Sequence, residues 1–134
     1  MQIILSDHNC EGQARMIFNA VQYDKELSWV PMKLLVFSDV GLDYKTDDET
    51  LWRYCQEQGY LLVTGNRTGD DGDASLELTI RRLVTPTSLP VLTISNLRRV
   101  TSDSDYRKEC AERLAEIVLD IETYHGVTRL YLSG

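Results

Sequence analysis

Lys33-Leu34-Leu35-Val36-Phe37 is apolar after its first residue and shows no polar–apolar alternation. A strand with one face in water alternates; one covered on both faces does not, and parallel sheets are covered on both faces. The run therefore predicts a buried strand over residues 33–37. Leu61-Leu62-Val63 and Val91-Leu92-Thr93-Ile94 are two more such runs, while Gln2 to Leu5 and Thr128 to Leu132 predict a first and a fifth strand.

Helical patterns fill the intervals. Residues 11–23 place Ala14, Ile17 and Val21 on one face. Thr46-Asp47-Asp48-Glu49 has the form of a capping box, with Thr46 as N-cap and Glu49 reaching back. Gly59, just after Gln58, is placed to end that helix in a left-handed conformation. Asp73 is placed to cap a helix from about Ala74 to Leu83. Tyr106, Cys110, Leu114, Ile117, Ile121 and Tyr124 form one apolar stripe, and Gly126 ends the last helix. Five strands alternating with four helices predict an α/β domain of three layers with a mainly parallel five-stranded sheet. The 134 residues suit one domain over 1–134, without repeats, linker or low-complexity tract.

Composition narrows the setting. No apolar run approaches the ~20 residues of a membrane helix. The opening Met-Gln-Ile-Ile-Leu-Ser-Asp lacks the basic and apolar regions of a signal peptide, so the expected location is cytoplasmic, with no membrane partner. Cys10, Cys55 and Cys110 are odd in number and widely spaced, which suits reduced core residues rather than disulfides or zinc.

The formal net charge is −7. It is unevenly spread: residues 31–80 carry −6, residues 1–30 carry −2 and residues 81–134 carry +1. That excludes duplex binding through a broad basic face. It leaves open a small acidic pocket that works through bound metal.

In open α/β sheets, ligands bind outside the carboxyl ends of the strands. There the sequence places Asp7, His8 and Asn9 after the first strand and Asp39 after the second. Asn66, Arg67, Asp70, Asp71 and Asp73 follow the third, and Asp47 and Asp48 open the next helix. Carboxylates converging on one edge repel unless a cation neutralises them, and all-oxygen sites suit Mg²⁺ or Mn²⁺. Such ions activate water and stabilise the leaving oxygen in phosphodiester cleavage. Ordinary structure accounts for some of these acids equally well. Asp47, Asp48 and Glu49 suit a helix's first turn, Asp73 suits a cap, and Asp70-Asp71-Gly72 is turn composition. Asp7, at the tip of a central strand, is the acid such explanations fit least.

Other chemistries fail on spacing. Cys10 and Arg15 are separated by four residues where a cysteine-phosphatase loop needs five. There is no Gly-rich dinucleotide turn, phosphate loop or nucleophile elbow. His8 and His125 are the only histidines, too few for a His-rich zinc site. A phospho-receiver domain would need Asp and Lys where Thr64 and Ser133 stand. A site for a small phosphorylated ligand would use a helix N-terminus, but that of the second helix is full of carboxylates.

Leu5-Ser6-Asp7-His8-Asn9 resembles the hydrophobic-x-Asp-x-Asn opening of PIN-like proteins, small domains related to the toxin nucleases of bacterial toxin–antitoxin pairs. Asp39-Val40-Gly41-Leu42 followed by Thr46-Asp47-Asp48-Glu49 is similar to that family's Asp-Val-Gly-Leu segment and Ser-Asp-Glu-Glu helix start. Gly59-Tyr60-Leu61-Leu62-Val63-Thr64-Gly65-Asn66-Arg67 is similar to its Gly-x-x-Leu-Val-Thr-x-Asp-Arg strand and turn. The ordered likeness spans residues 3–67, about half the chain.

The resemblance implies a PIN-like α/β/α fold and a Mg²⁺- or Mn²⁺-dependent ribonuclease acting on single-stranded RNA, leaving a 5′-phosphate and a 3′-hydroxyl. It puts the family's carboxylates on Asp7 and Asp48, with Asn66 at a third catalytic position; Asp70, Asp71 or Asp73 is left to supply the missing negative charge, and Asp73 is chosen as metal ligand because a helix start holds a residue more rigidly than a loop tip. The resemblance makes Asn9 and Arg67 the polar neighbours of metal-bound water or substrate phosphate; Arg81, with Arg82 beside it, is a further candidate for steering the substrate backbone, a pair that a solvated helix face explains equally. Asn66 and Thr68 stand where the family carries acids. Asn offers a metal one neutral oxygen but cannot serve as a base. The alternative is therefore a catalytically weakened PIN-like domain acting as a binding or regulatory partner. Expected partners are the RNA, a small antitoxin and a second copy in a homodimer.

Overall fold

The computed structural model describes residues 1–65 and 72–133, the side chains of 72–74 excepted. Its strands are β1 (Gln2–Ser6), β2 (Met32–Leu35), β3 (Leu61–Gly65), β4 (Val91–Ile94) and β5 (Arg129–Tyr131). The helices are α1 (Glu11–Gln22), α2 (Phe37–Val40), α3 (Asp48–Gln58), α4 (Gly72–Leu83), α5 (Leu97–Ser102) and α6 (Ser104–Leu119). Short 3-10 turns lie at His8–Cys10 and Ile121–Tyr124. The sheet runs β2-β1-β3-β4-β5, and every pairing is parallel.

The absence of alternation in β3 and β4 has its reason in two buried sheet faces, whereas β2, expected to be buried, is an edge strand with Met32 buried, Lys33 exposed and Leu34 and Leu35 half-buried. On one face Ile4, Leu61, Val63, Leu92 and Ile94 pack with Ile17 and Val21 of α1, Val100 of α5 and Leu114 and Ile117 of α6. On the other, Leu5, Leu62 and Val91 pack with Leu51, Trp52 and Cys55 of α3 and Leu76 and Ile80 of α4. The α/β/α layering follows directly. At the far edge, the Arg129 guanidinium, 9% exposed, bonds the Thr93 hydroxyl at 2.8 Å and Glu77 at 3.1 Å, tying β5 to α4.

Several boundaries differ from the sequence reading. The apolar run at 33–37 is not all strand, because Phe37 opens the short helix α2. The Asp39 carboxylate accepts from the Val36 N–H at 2.8 Å and closes that turn. The cap of α3 is Asp47, one residue after Thr46; it accepts from Thr50 N–H at 2.7 Å, while the Thr46 hydroxyl donates to the Asp43 carbonyl. Gly59 does end α3 in the left-handed region, at φ 74°. Helix α4 starts at Gly72, so Asp73 lies within its first turn rather than capping a helix at Ala74. The apolar stripe through Tyr124 is divided between α6 and the following 3-10 turn, and α5 is an additional helix capped by Asn96.

All three cysteines are 0% exposed and unbridged. Burial, with a lesser contribution from the Asp7 charge, pushes the Cys55 thiol up to about 12. Native protein is expected to leave all three thiols unmodified by a thiol reagent such as DTNB, and guanidinium-unfolded protein to expose three. Fast native labelling of any one would contradict this packing.

Candidate functional site

The chain leaves β1 for β2 on one side, then crosses back over β1 to form β3. In a doubly wound sheet this reversal opens a crevice beyond the carboxyl ends of the two diverging strands. Asp7 stands there, directly after β1. Its N–H donates to the Val63 carbonyl at 2.8 Å, and the Thr64 hydroxyl donates to its Oδ2 at 3.2 Å. The residue is 9% exposed and its neighbours Ser6 and Thr64 are 0% exposed. A carboxylate is thus held almost out of water at the one position where the topology makes room for a ligand.

The three acids at the start of α3 have separate roles. Asp47 caps the helix, and its bonds to Thr50 hold its carboxyl below the ordinary value. Glu49 is paired with Arg53 of its own helix and Arg82 of α4; the Arg53 bond is the main cause of its lowered pKa. Asp48 lies between them, half-buried. All three line an open groove of about 400 Å³ whose other wall is Ser75 and Thr79 of α4.

Asn9 is exposed in the 3-10 turn two residues after Asp7. Arg81 is exposed and pairs with Glu77, on the side of α4 turned toward Arg129, not toward the groove. Ser75 and Thr79 line the groove, and Arg82 rather than Arg81 reaches α3, where it pairs with Glu49. Asn66, Arg67, Thr68, Asp70 and Asp71, and the side chain of Asp73, lie outside the described residues. Among the described residues, no three His, Cys, Asp or Glu side chains gather closely enough to hold a metal ion. Neither a family model, nor a curated protein, nor a solved structure matches this chain. The site is therefore read from its own chemistry.

As donors for a hard divalent cation, Asp7 and Asp48 are suitable in kind, both offering charged oxygen. Asp39, which the sequence also placed at this edge, is committed to closing α2. Sequence reasoning missed Thr64, Ser75 and Thr79. Their hydroxyls look like ordinary strand and helix residues until the fold sets them beside Asp7 and Asp48. Thr64 alone carried a signal, a polar residue ending an otherwise apolar strand. No helix among the described residues is long and apolar enough to cross a membrane.

Proposed function

We propose that this chain is a PIN-like ribonuclease, dependent on Mg²⁺ or Mn²⁺, that cleaves single-stranded RNA. One observation carries the reading: Asp7 is nearly buried in the switch-point crevice, fastened there by Thr64. A carboxylate held at the edge where ligands bind in such sheets offers a charged oxygen to a hard cation.

Asp7 and Asp48 would hold the metal, with Asp73 completing the set. When bound, the metal supplies an acidified water and neutralises charge on the scissile phosphodiester. The chain's own groups do the rest. Thr64 orients the Asp7 carboxylate by donating to Oδ2. Asn9 offers an amide to substrate phosphate, and Arg82, balanced on Glu49, places a cation beside the groove. Asn66 would contribute a neutral oxygen and Arg67 a further phosphate contact. A toxin role, an antitoxin partner and a homodimer belong to the same proposal.

The test is RNA cleavage with Mn²⁺ or Mg²⁺ and with chelator, run beside thermal denaturation under the same conditions. Metal-dependent cleavage and a metal-induced rise in melting temperature are expected. The chemistry at Asn66 favours one second reading, a weakened domain that binds without cutting. It would show metal stabilisation and RNA binding with no product. Absence of both effects at millimolar metal overturns the site itself.

A further inference from the structure

Beside Asp7, on the side of β1 that faces β2, lies an aromatic cluster that the metal chemistry does not use. His8, immediately after Asp7, has its ring centroid 5.7 Å from Phe37 and 5.8 Å from Tyr44, tilted by 42° and 41°. Phe37 is 3% exposed and forms a fixed base. The His8 side chain is 52% exposed and Tyr44 is 65% exposed. Both outer residues are held in place. Glu11 lies 3.7 Å from His8 Nδ1 and also accepts from the Phe37 N–H. Tyr44 projects from a turn closed by the Asp43 carboxylate on Lys45 N–H and by the Asp43 carbonyl on Thr46. Lys45 places its ammonium 5.6 Å from the Tyr44 ring centroid.

We propose that His8 and Tyr44 form a stacking platform for an unpaired base of the RNA substrate, with Lys45 receiving the adjoining phosphate. The inference rests on the nuclease reading and adds to it the substrate class, an unpaired strand. Exposed aromatics on a rigid footing stack bases without reading their edges. A base already stacked inside a duplex cannot reach them. The cation beside the rings supplies a charge contact for the phosphate that adjoins the stacked base.

The chain's two histidines make the test direct. Titration of wild-type protein with a short oligoadenylate RNA, in chelator so that nothing is cut, is followed by proton NMR and fluorescence anisotropy. The His8 ring resonance is expected to move upfield under the base's ring current. That of His125, which precedes β5 at the opposite edge of the sheet, stays in place. Tyr44→Ala is expected to weaken binding about tenfold, since stacking contributes 1–3 kcal/mol per base, and Tyr44→Phe to retain it. Lys45→Ala lowers affinity and reduces the salt dependence by about one phosphate contact.

A static His8 resonance, an unchanged Kd in Tyr44→Ala, or equal competition by duplex RNA overturns the platform. Metal-dependent cleavage whose KM is indifferent to Tyr44→Ala removes the platform and leaves the nuclease standing. Oligoadenylate binding through Tyr44 without cleavage under any metal removes the nuclease and leaves the platform.

Discussion

On the proposed nuclease reading, Asp7→Asn is expected to lower RNA cleavage roughly a thousandfold, about 4 kcal/mol of lost transition-state stabilisation, while the metal-free fold and its Thr64 contact are retained. The two halves of the prediction have one cause. Asn keeps the shape of Asp and an oxygen that accepts from the Thr64 hydroxyl, so the bond at 3.2 Å survives. What disappears is the charge that a hard divalent cation needs from this position, which is 9% exposed. A residue retained for structure would behave in the opposite way, with stability falling and activity following. Guanidinium denaturation in chelator, thermal shift with Mn²⁺, and cleavage of a labelled oligonucleotide separate the cases. Cleavage within a few-fold of wild type would show that Asp7 holds no working metal.

The sheet was legible because two-faced burial leaves a mark in composition. Leu61, Leu62 and Val63 point to alternate faces, yet all are apolar, and a parallel sheet is the arrangement that needs this. Gly59 was equally plain, since its left-handed backbone is what a helix end calls for. Errors clustered where neighbouring residues share a talent. Thr46 and Asp47 are both good caps, and the choice depended on where the loop from Asp43 delivered the chain. The end of the second strand was hidden for a similar reason. Phe37 continues an apolar run, but its side chain is buried among α-helical partners of one layer, and the Asp39 carboxylate turns the backbone into α2.

The site was legible in part. Asp7 and Asp48 were readable as residues of one edge, because in a parallel sheet the strand ends and the starts of the helices that follow lie on the same side. Their partners depend on contacts between residues far apart in sequence. Thr64 meets Asp7 across 57 residues, and Arg82 meets Glu49 across 33. No local pattern distinguishes Arg82 from Arg81, yet one turns toward α3 and the other toward β5. The aromatic cluster beside Asp7 is of the same kind. His8, Phe37 and Tyr44 come from three separate segments and share a surface only in the folded chain.

The largest expected stability change is at Trp52. Trp52→Ala is expected to cost about 3–5 kcal/mol, a large share of the 5–15 kcal/mol that holds a domain of this size together, and to lower the melting temperature by on the order of 10 °C. Trp52 is 5% exposed and lies with Leu51 and Cys55 on the buried side of α3, against Leu5 and Leu62 of the sheet and Leu76 and Ile80 of α4. Ala leaves a void there that the flanking strands, fixed in a five-stranded ladder, cannot close. Asp48 stands one helical turn ahead of Trp52, so a loosened α3 also moves the carboxylate relative to Asp7. Cleavage should therefore fall as well, even at temperatures where the variant remains folded. Trp52→Phe, which fills most of the space, should recover much of both losses. Circular dichroism is the proper measurement, because the remaining Trp29 is already 65% exposed and its fluorescence will scarcely report unfolding. A denaturation midpoint equal to wild type would mean that α3 is held by something other than this contact, and the placement of Asp48 would then need another cause.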